Sequence, residues 1–301
     1  MAINQFQTPA FSLRQLQYAL AVAETGGFGA AAALCGVSQP SLSSQVAKLE
    51  AVLGTELFVR TPKGVFLSPA GERQLPAFRE ALNAAALVEA TAATLHDPYA
   101  VPVRIAVIPT VAPYLLPALS QAMKAGEGPT VHWLELQTTS AEEALAHGKA
   151  DAIVIADPPT EPGQRGHELG WEPFVVIAPQ EMSLPDEVPV SWLHEQQLLL
   201  LAQGHCLRDQ TLSLCRFPST QRSQFRATSL VTMVQMVAAG LGVSVLPAMA
   251  VEAERARAPI QVRPFVEDTI GRTLTLVTTE GHPLSGVLEE LVVAFRGVMP
   301  R

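Results

Sequence analysis

Val37-Ser-Gln-Pro-Ser-Leu-Ser-Ser-Gln-Val-Ala-Lys-Leu49 opens on a helix cap, places a proline in the first turn, and then alternates small polar side chains with leucine and valine at helical spacing. Reading outward toward the N-terminus, Ser12 and Gln15 form a capping-box pattern ahead of Leu13, Leu16 and Leu20, and Gly26-Gly27 stops that helix. A short Ala-rich helix from Phe28 ends at Gly36, and Gly54 closes the helix that Ser38 begins. Two helices joined by a tight Gly-containing turn predict a helix-turn-helix, with the second helix presented to a DNA major groove.

On that helix Ser38, Gln39, Pro40, Ser41, Ser44, Gln45 and Lys48 occupy the cap and leading turns. Their hydroxyl and amide groups suit phosphates and base edges, and Lys48 supplies salt-dependent attraction. Phe58-Val-Arg-Thr-Pro-Lys-Gly-Val-Phe-Leu67 reads as a hairpin wing, with Arg60 and Lys63 flanking its tip. The net charge of -8 argues against a nucleic-acid partner for the chain as a whole, but residues 1–70 sum to +1 and the remainder to -9. Double-stranded DNA is therefore the expected partner of the first part only.

Ser68-Pro69 starts a further helix on which Phe78, Leu82 and Ala85 make a stripe suited to pairing with a second copy, and Pro76 inside it predicts a bend. Residues 96–102 read as a hinge. Beyond it, apolar runs at 104–108, 131–136, 152–155, 174–177, 198–201 and 273–277 alternate with helical patterns, which predicts α/β organisation with a largely parallel sheet. The uncharged run at 227–251 is interrupted by Gly240, Gly242 and Pro247, so it reads as a buried helix, a turn and a strand, with no membrane span. The expected domains are 1–67 (winged helix-turn-helix), 68–95 (linker helix), 96–102 (hinge) and 103–301 (regulatory domain). Nothing before Phe11 resembles an export segment, which predicts a cytoplasmic protein.

Gly204-His-Cys-Leu-Arg-Asp-Gln-Thr-Leu-Ser-Leu-Cys215 holds two of the three cysteines. Nine residues of helix would hold their Cα atoms about 13 Å apart, against roughly 7 Å at most for a disulfide. A bond between them requires the backbone to rearrange, so the pair reads as a redox-biased two-state element. His205, Arg208 and a helix start near Cys206 predict a lowered thiol pKa. Cys35, without basic neighbours, reads as core packing.

Phe28-Gly-Ala-Ala-Ala, Val37-Ser-Gln-Pro-Ser-Leu-Ser, Leu49-Glu, Leu53-Gly-x-x-Leu57-Phe and Arg60-Thr resemble the LysR-type transcriptional regulators. The resemblance narrows to the OxyR-type peroxide sensors at Ile108-Pro-Thr-Val-Ala-Pro-Tyr-Leu-Leu-Pro117, at 204–215, and at Phe225-Arg-Ala-Thr-Ser-Leu230 through Gly240. It departs from the pattern at Ala47, where many members carry a basic residue, which implies reliance on dimeric DNA binding. The implied fold is α/β with an all-α N-terminal part: a winged helix-turn-helix, a linker helix, and a two-lobed effector domain similar to periplasmic binding proteins. The implied activity is regulated transcription, with Cys206 as the peroxide-reacting thiol, Cys215 as its resolving partner, and Thr110, Thr138, His205, Arg208 and Asp209 around the peroxide. The implied partners are promoter half-sites, hydrogen peroxide, RNA polymerase, further copies of the chain in a dimer and a tetramer, and thioredoxin- or glutathione-linked reductants. No cofactor, metal, membrane association or enzymatic turnover is expected. Two regulator readings stay open beside it, a small organic metabolite held between the lobes or a sensor using Cys206 alone, and a thiol peroxidase is the enzymatic alternative.

Overall fold

The computed structural model describes residues 9–62, 64–123, 128–159, 161–214 and 222–299. The chain divides into two compact units, Met1–Ala92 and Ala93–Arg301.

In the first unit α1 (Leu13–Thr25) begins in a complete capping box: Gln15 N donates to Ser12 Oγ, and Ser12 N donates to Gln15 Oε1 at 2.8 Å. α2 (Phe28–Leu34) and α3 (Gln39–Leu53) follow, the latter capped by Ser38 Oγ, which accepts from Ser41 N. Leu16, Leu42, Val46, Leu49 and Leu57 bury their side chains where the three helices meet. Glu50 accepts from the Leu57 and Phe58 amides, holding the end of α3 against the antiparallel hairpin of β1 (Phe58–Thr61) and β2 (Gly64–Leu67).

α4 (Pro69–Thr94) packs back on this core at Gly71, where a Cβ would collide with the Leu57 carbonyl. Pro76 is accommodated within this single 26-residue helix. Phe78, expected on a stripe facing a second copy, instead joins Leu75 in the core of its own unit. Leu87 and Val88, further along, are exposed.

In the second unit β3 (Val103–Val107), α5 (Ala112–Ala122), β4 (Val131–Glu135), α6 (Thr138–Ala146) and β5 (Ala152–Ile155) build a parallel βαβ layer. β6 (Gln164–Pro179) then crosses to a second lobe formed by β7 (Leu198–Leu201), α7 (Cys206–Leu214), β8 (Arg222–Ala227), α8 (Leu230–Ala238), β9 (Ser244–Pro247), α9 (Val251–Arg255) and β10 (Ile260–Pro264). β11 (Gly271–Thr279) returns to the first lobe, and α10 (Ser285–Val298) covers it.

The expectation of a largely parallel sheet is corrected here. The main sheet runs β10-β6-β11-β5-β3-β4, with β9 also on β6, and every pairing made by β6 and β11 is antiparallel. A strand that leaves a lobe and a neighbour that comes back must run in opposite directions. The periodicity at 174–177 captured only the buried end of β6, because residues 164–173 alternate toward solvent. Each lobe has its own core, one around Ile105, Ile153 and Phe295, the other around Ile177, Leu199 and Val234. This is the expected two-lobed architecture. No helix among the described residues is long and apolar enough to cross a membrane.

Candidate functional site

α7 starts at the boundary of the two lobes. Cys206 occupies its first position and packs into the core of the first lobe, while the next residue, Leu207, packs into the core of the second. The helix that carries the thiol is thus held by both lobes at once, at consecutive residues.

Cys206 faces a cavity of about 590 Å³ whose walls include Thr138, Thr139, Asp157, Gly204, Asp209 and Gln210. Two oxygens beside it, Thr138 Oγ1 and Gln210 Oε1, are buried with no hydrogen-bond partner among the described residues. Gln210 is fixed by its amide nitrogen, which donates to the Ala156 carbonyl at 2.9 Å. Its carbonyl is left as a pure acceptor, while the Thr138 hydroxyl can both donate and accept.

Burial pushes the Cys206 thiol up from its ordinary pKa; the positive charge of Arg272 and the adjacent Thr138 hydroxyl oppose that shift without overcoming it. Thr138 favours the thiolate by its nearness, although it is not aligned for a hydrogen bond. The expected lowering by His205 and Arg208 is therefore corrected, because neither presents a cation to the sulfur. The Arg208 guanidinium donates to the Leu201 carbonyl at 3.0 Å, and no ion pair with Asp209 forms. His205 is 3% exposed, and burial lowers its pKa against the opposing pull of the Thr228 backbone. Gln137 Nε2 lies 3.0 Å from His205 Nε2. An amide nitrogen only donates, so in this bond His205 Nε2 is the acceptor and the hydrogen of the neutral ring sits on Nδ1.

The cation that does act on the sulfur is Arg272 on β11, which no motif in the sequence singled out. It is buried against Glu172, Nε to Oε2 at 2.7 Å, and donates from Nη1 to Thr110 Oγ1 at 2.9 Å and from Nη2 to the Thr110 carbonyl at 3.2 Å. Thr110 is therefore no helix cap; Val111 holds that position for α5. Glu172 also accepts from Met249 N, so the ion pair stitches β6, β11, the turn after β3 and the segment after β9. No local pattern marks Arg272, which lies on β11, 66 positions from Cys206.

The structure gathers Thr138, Asp209 and Cys206 at one cavity, with Thr110 connected to that centre through Arg272 and His205 adjacent through Gln137. Arg208 points away from it. Cys215 lies outside the described residues, as does Lys63. Cys35, at the end of α2, is half-buried against the first unit's core.

In the first unit Ser38, Gln39, Pro40, Ser41, Ser44 and Lys48 are exposed, while Leu42, Val46 and Leu49 are buried behind them. Gln45 is half-buried and accepts from Gln15 Nε2 at 3.1 Å, which makes the capping box a brace for this helix. The Arg60 guanidinium lies 4.3 Å above the Phe28 ring and donates to Ser43 Oγ at 3.1 Å. Ser43 thereby ties the wing to α3.

Residues 13–72 match the bacterial regulatory helix-turn-helix proteins of the lysR family, and residues 97–300 match the LysR substrate binding domain. A probable hydrogen peroxide-inducible genes activator of Streptomyces viridosporus is 40% identical over 297 residues, 96% of this chain and 94% of that protein. The DNA-binding transcriptional dual regulator OxyR of Escherichia coli K12 is 35% identical over 96% of both chains. Among solved structures, full-length Pseudomonas aeruginosa OxyR carrying a cysteine-to-aspartate substitution superimposes with a TM-score of 0.77 at 34% identity, covering 95% of each chain. A cysteine-to-serine mutant of Corynebacterium glutamicum OxyR, bound to hydrogen peroxide, gives 0.65 at 31% identity, covering 97% of this chain and 93% of that one.

Proposed function

This chain belongs to the LysR family of bacterial helix-turn-helix regulators, and we propose that within it Cys206 and Cys215 form the reversible disulfide that reports hydrogen peroxide. It is a DNA-binding regulator of the OxyR type, a group that senses hydrogen peroxide through cysteine redox chemistry. The observation that carries the assignment to Cys206 is its place in the cavity, whose lining also includes Thr138 and Gln210, each with a buried oxygen of unused hydrogen-bonding capacity. Hydrogen peroxide has two O–H donors and two acceptor oxygens, and Gln210 Oε1 and Thr138 Oγ1 offer an acceptor and a donor–acceptor for it.

The Cys206 thiolate attacks one peroxide oxygen; the S–O bond forms as the O–O bond breaks, and the leaving hydroxide takes a proton to become water. The Cys215 thiolate then attacks the sulfenic sulfur; the S–S bond forms, the S–O bond breaks, and the departing hydroxide takes a proton to become the second water, so the protons released by the two thiols leave in the two waters. Arg272 stabilises the thiolate, Thr110 orients Arg272, and His205 and Asp209 complete the polar surround. Closing the bond requires α7 to unwind, since its described residues Cys206–Leu214 are helical and nine residues of ideal helix would hold the two Cα atoms about 13 Å apart, too far for a disulfide. Because the lobes share that helix at Cys206 and Leu207, its unwinding changes how they are held together.

The same reading has the protein act in the cytoplasm as a dimer through the 68–95 helix and as a tetramer overall, with 1–67 on DNA half-sites, 96–102 as hinge and 103–301 as sensor. Oxidation shifts the spacing of the DNA-binding parts and contact with RNA polymerase, and thioredoxin- or glutathione-linked reduction resets it. The protein is consumed stoichiometrically in each oxidation and is no peroxidase.

The test is mass spectrometry after brief exposure to low peroxide. An intramolecular bridge between 206 and 215 supports the pair; a stable sulfenic acid on Cys206 without the bridge replaces it with a single-cysteine sensor. Normal promoter switching by Cys206→Ser sinks both, and sustained turnover of excess peroxide by the pure protein identifies a peroxidase.

A further inference from the structure

We propose that Gln137 is a positioning residue that holds the sensor in its reduced conformation by latching the turn before Cys206 to the start of α6. The inference rests on the assignment of Cys206 and Cys215 as the redox pair.

Gln137 stands at the cap position of α6, yet its side chain makes no capping bond. It reaches instead across 68 positions to His205 Nε2. Two consecutive pairs thus face each other, Gln137 on His205 and Thr138 beside Cys206. Gly204 completes the fit: its φ is +97°, and a Cβ there would overlap Gln137 Oε1. The amide therefore lies directly on the Gly204–His205 turn, and only glycine leaves room for it.

His205 is buried between Gln137, which follows β4 in the first lobe, and Thr228, which follows β8 in the second. Drawing Cys206 out of its pocket toward Cys215 pulls His205 with it, because the two are adjacent in the chain. The Gln137–His205 bond consequently exists in the dithiol form and is lost in the disulfide form. An interaction present in one of two states biases the equilibrium by its whole net worth. The balanced process is two thiols and one hydrogen peroxide giving one disulfide and two waters. Gln137 takes no part in its bond changes and acts only on how readily the segment leaves.

The experiment places the full-length protein in glutathione redox buffers and quantifies the 206–215 disulfide for wild type, Gln137→Met, Gln137→Ala, His205→Ala and the Gln137→Met/His205→Ala double variant. Gln137→Met keeps the bulk and removes the donor. Loss of one neutral hydrogen bond should favour the disulfide about three- to ten-fold, a midpoint about 15–30 mV more negative. The effect should vanish in the His205→Ala background, as expected when one residue acts through the other. Gln137→Ala tests the same bond should the methionine pack poorly.

If wild type forms the bridge and both Gln137 variants show its equilibrium constant, the latch is disproved while the redox pair stands. An effect that persists undiminished without His205 also overturns it. If wild type forms no bridge at all, the parent assignment fails first.

Discussion

Arg272 Nη1 donates to Thr110 Oγ1 over 2.9 Å, joining β11 to the turn after β3 across 162 positions of sequence. Both side chains are almost fully buried, and the same guanidinium is the positive charge that acts on the Cys206 sulfur. Thr110→Val keeps the shape and removes the acceptor, leaving a buried charged donor short of one partner. Stability should fall by about 1–3 kcal/mol. Oxidation of Cys206 should also slow, as stopped-flow measurements and thermal melts on the same preparation would show.

Arg272→Met should act on the thiol in a defined direction. A cation favours the thiolate, so its loss lets burial push the Cys206 pKa higher still, and the rise of peroxide reactivity with pH moves toward more alkaline values. Glu172, whose side chain is 1% exposed, would lose its cationic partner at a cost of about 3–5 kcal/mol. Ultraviolet titration of the thiolate separates the electrostatic effect from the loss of stability. An unchanged titration would remove Arg272 from the sensor chemistry.

Acid should weaken the second unit through Asp151. Burial alone would raise its pKa, but hydrogen bonds from His282 and from the Arg104 side chain and amide outweigh that and hold the carboxyl at about 2. A carboxyl depressed in the folded state contributes stability that is present above its unfolded pKa near 4 and is lost as the pH falls toward 2. The contribution is about 2 kcal/mol. Denaturant titrations from pH 6 to 2 should show that loss in wild type and a flatter profile in Asp151→Asn.

On the exposed face of α3 proposed to contact DNA, Lys48→Ala should weaken binding almost equally for all sequences and lower the slope of log affinity against log salt by about one per bound copy. Ser44→Ala should leave that slope unchanged and reduce discrimination between sites instead. Arg60→Ala should loosen the wing as well, since its guanidinium lies on Phe28 and bonds Ser43. Fluorescence anisotropy over a salt series distinguishes the three.

The helices and caps of the first unit were readable because their signals are local. Ser12 with Gln15, and Ser38 with Pro40, satisfy amides within a few residues, so sequence distance and spatial distance coincide. Leu42, Val46 and Leu49 mark the buried face by spacing alone. The start of α7 at Cys206 was equally legible, whereas Phe78 was misplaced because its stripe fits equally well against a second copy or its own core, and only packing decides between them.

What the chain determines by itself is a set of elements and a redox-capable helix start, because caps, turns and hydrophobic periods act over one or two turns of backbone. What tertiary structure alone decided is the company the sulfur keeps. Arg272 at 66 residues' remove, Gln137 on His205, and a thiol pushed up by burial all follow from strands crossing between two lobes. Desolvation and long-range charge depend on the final packing of distant segments, and no local pattern records them.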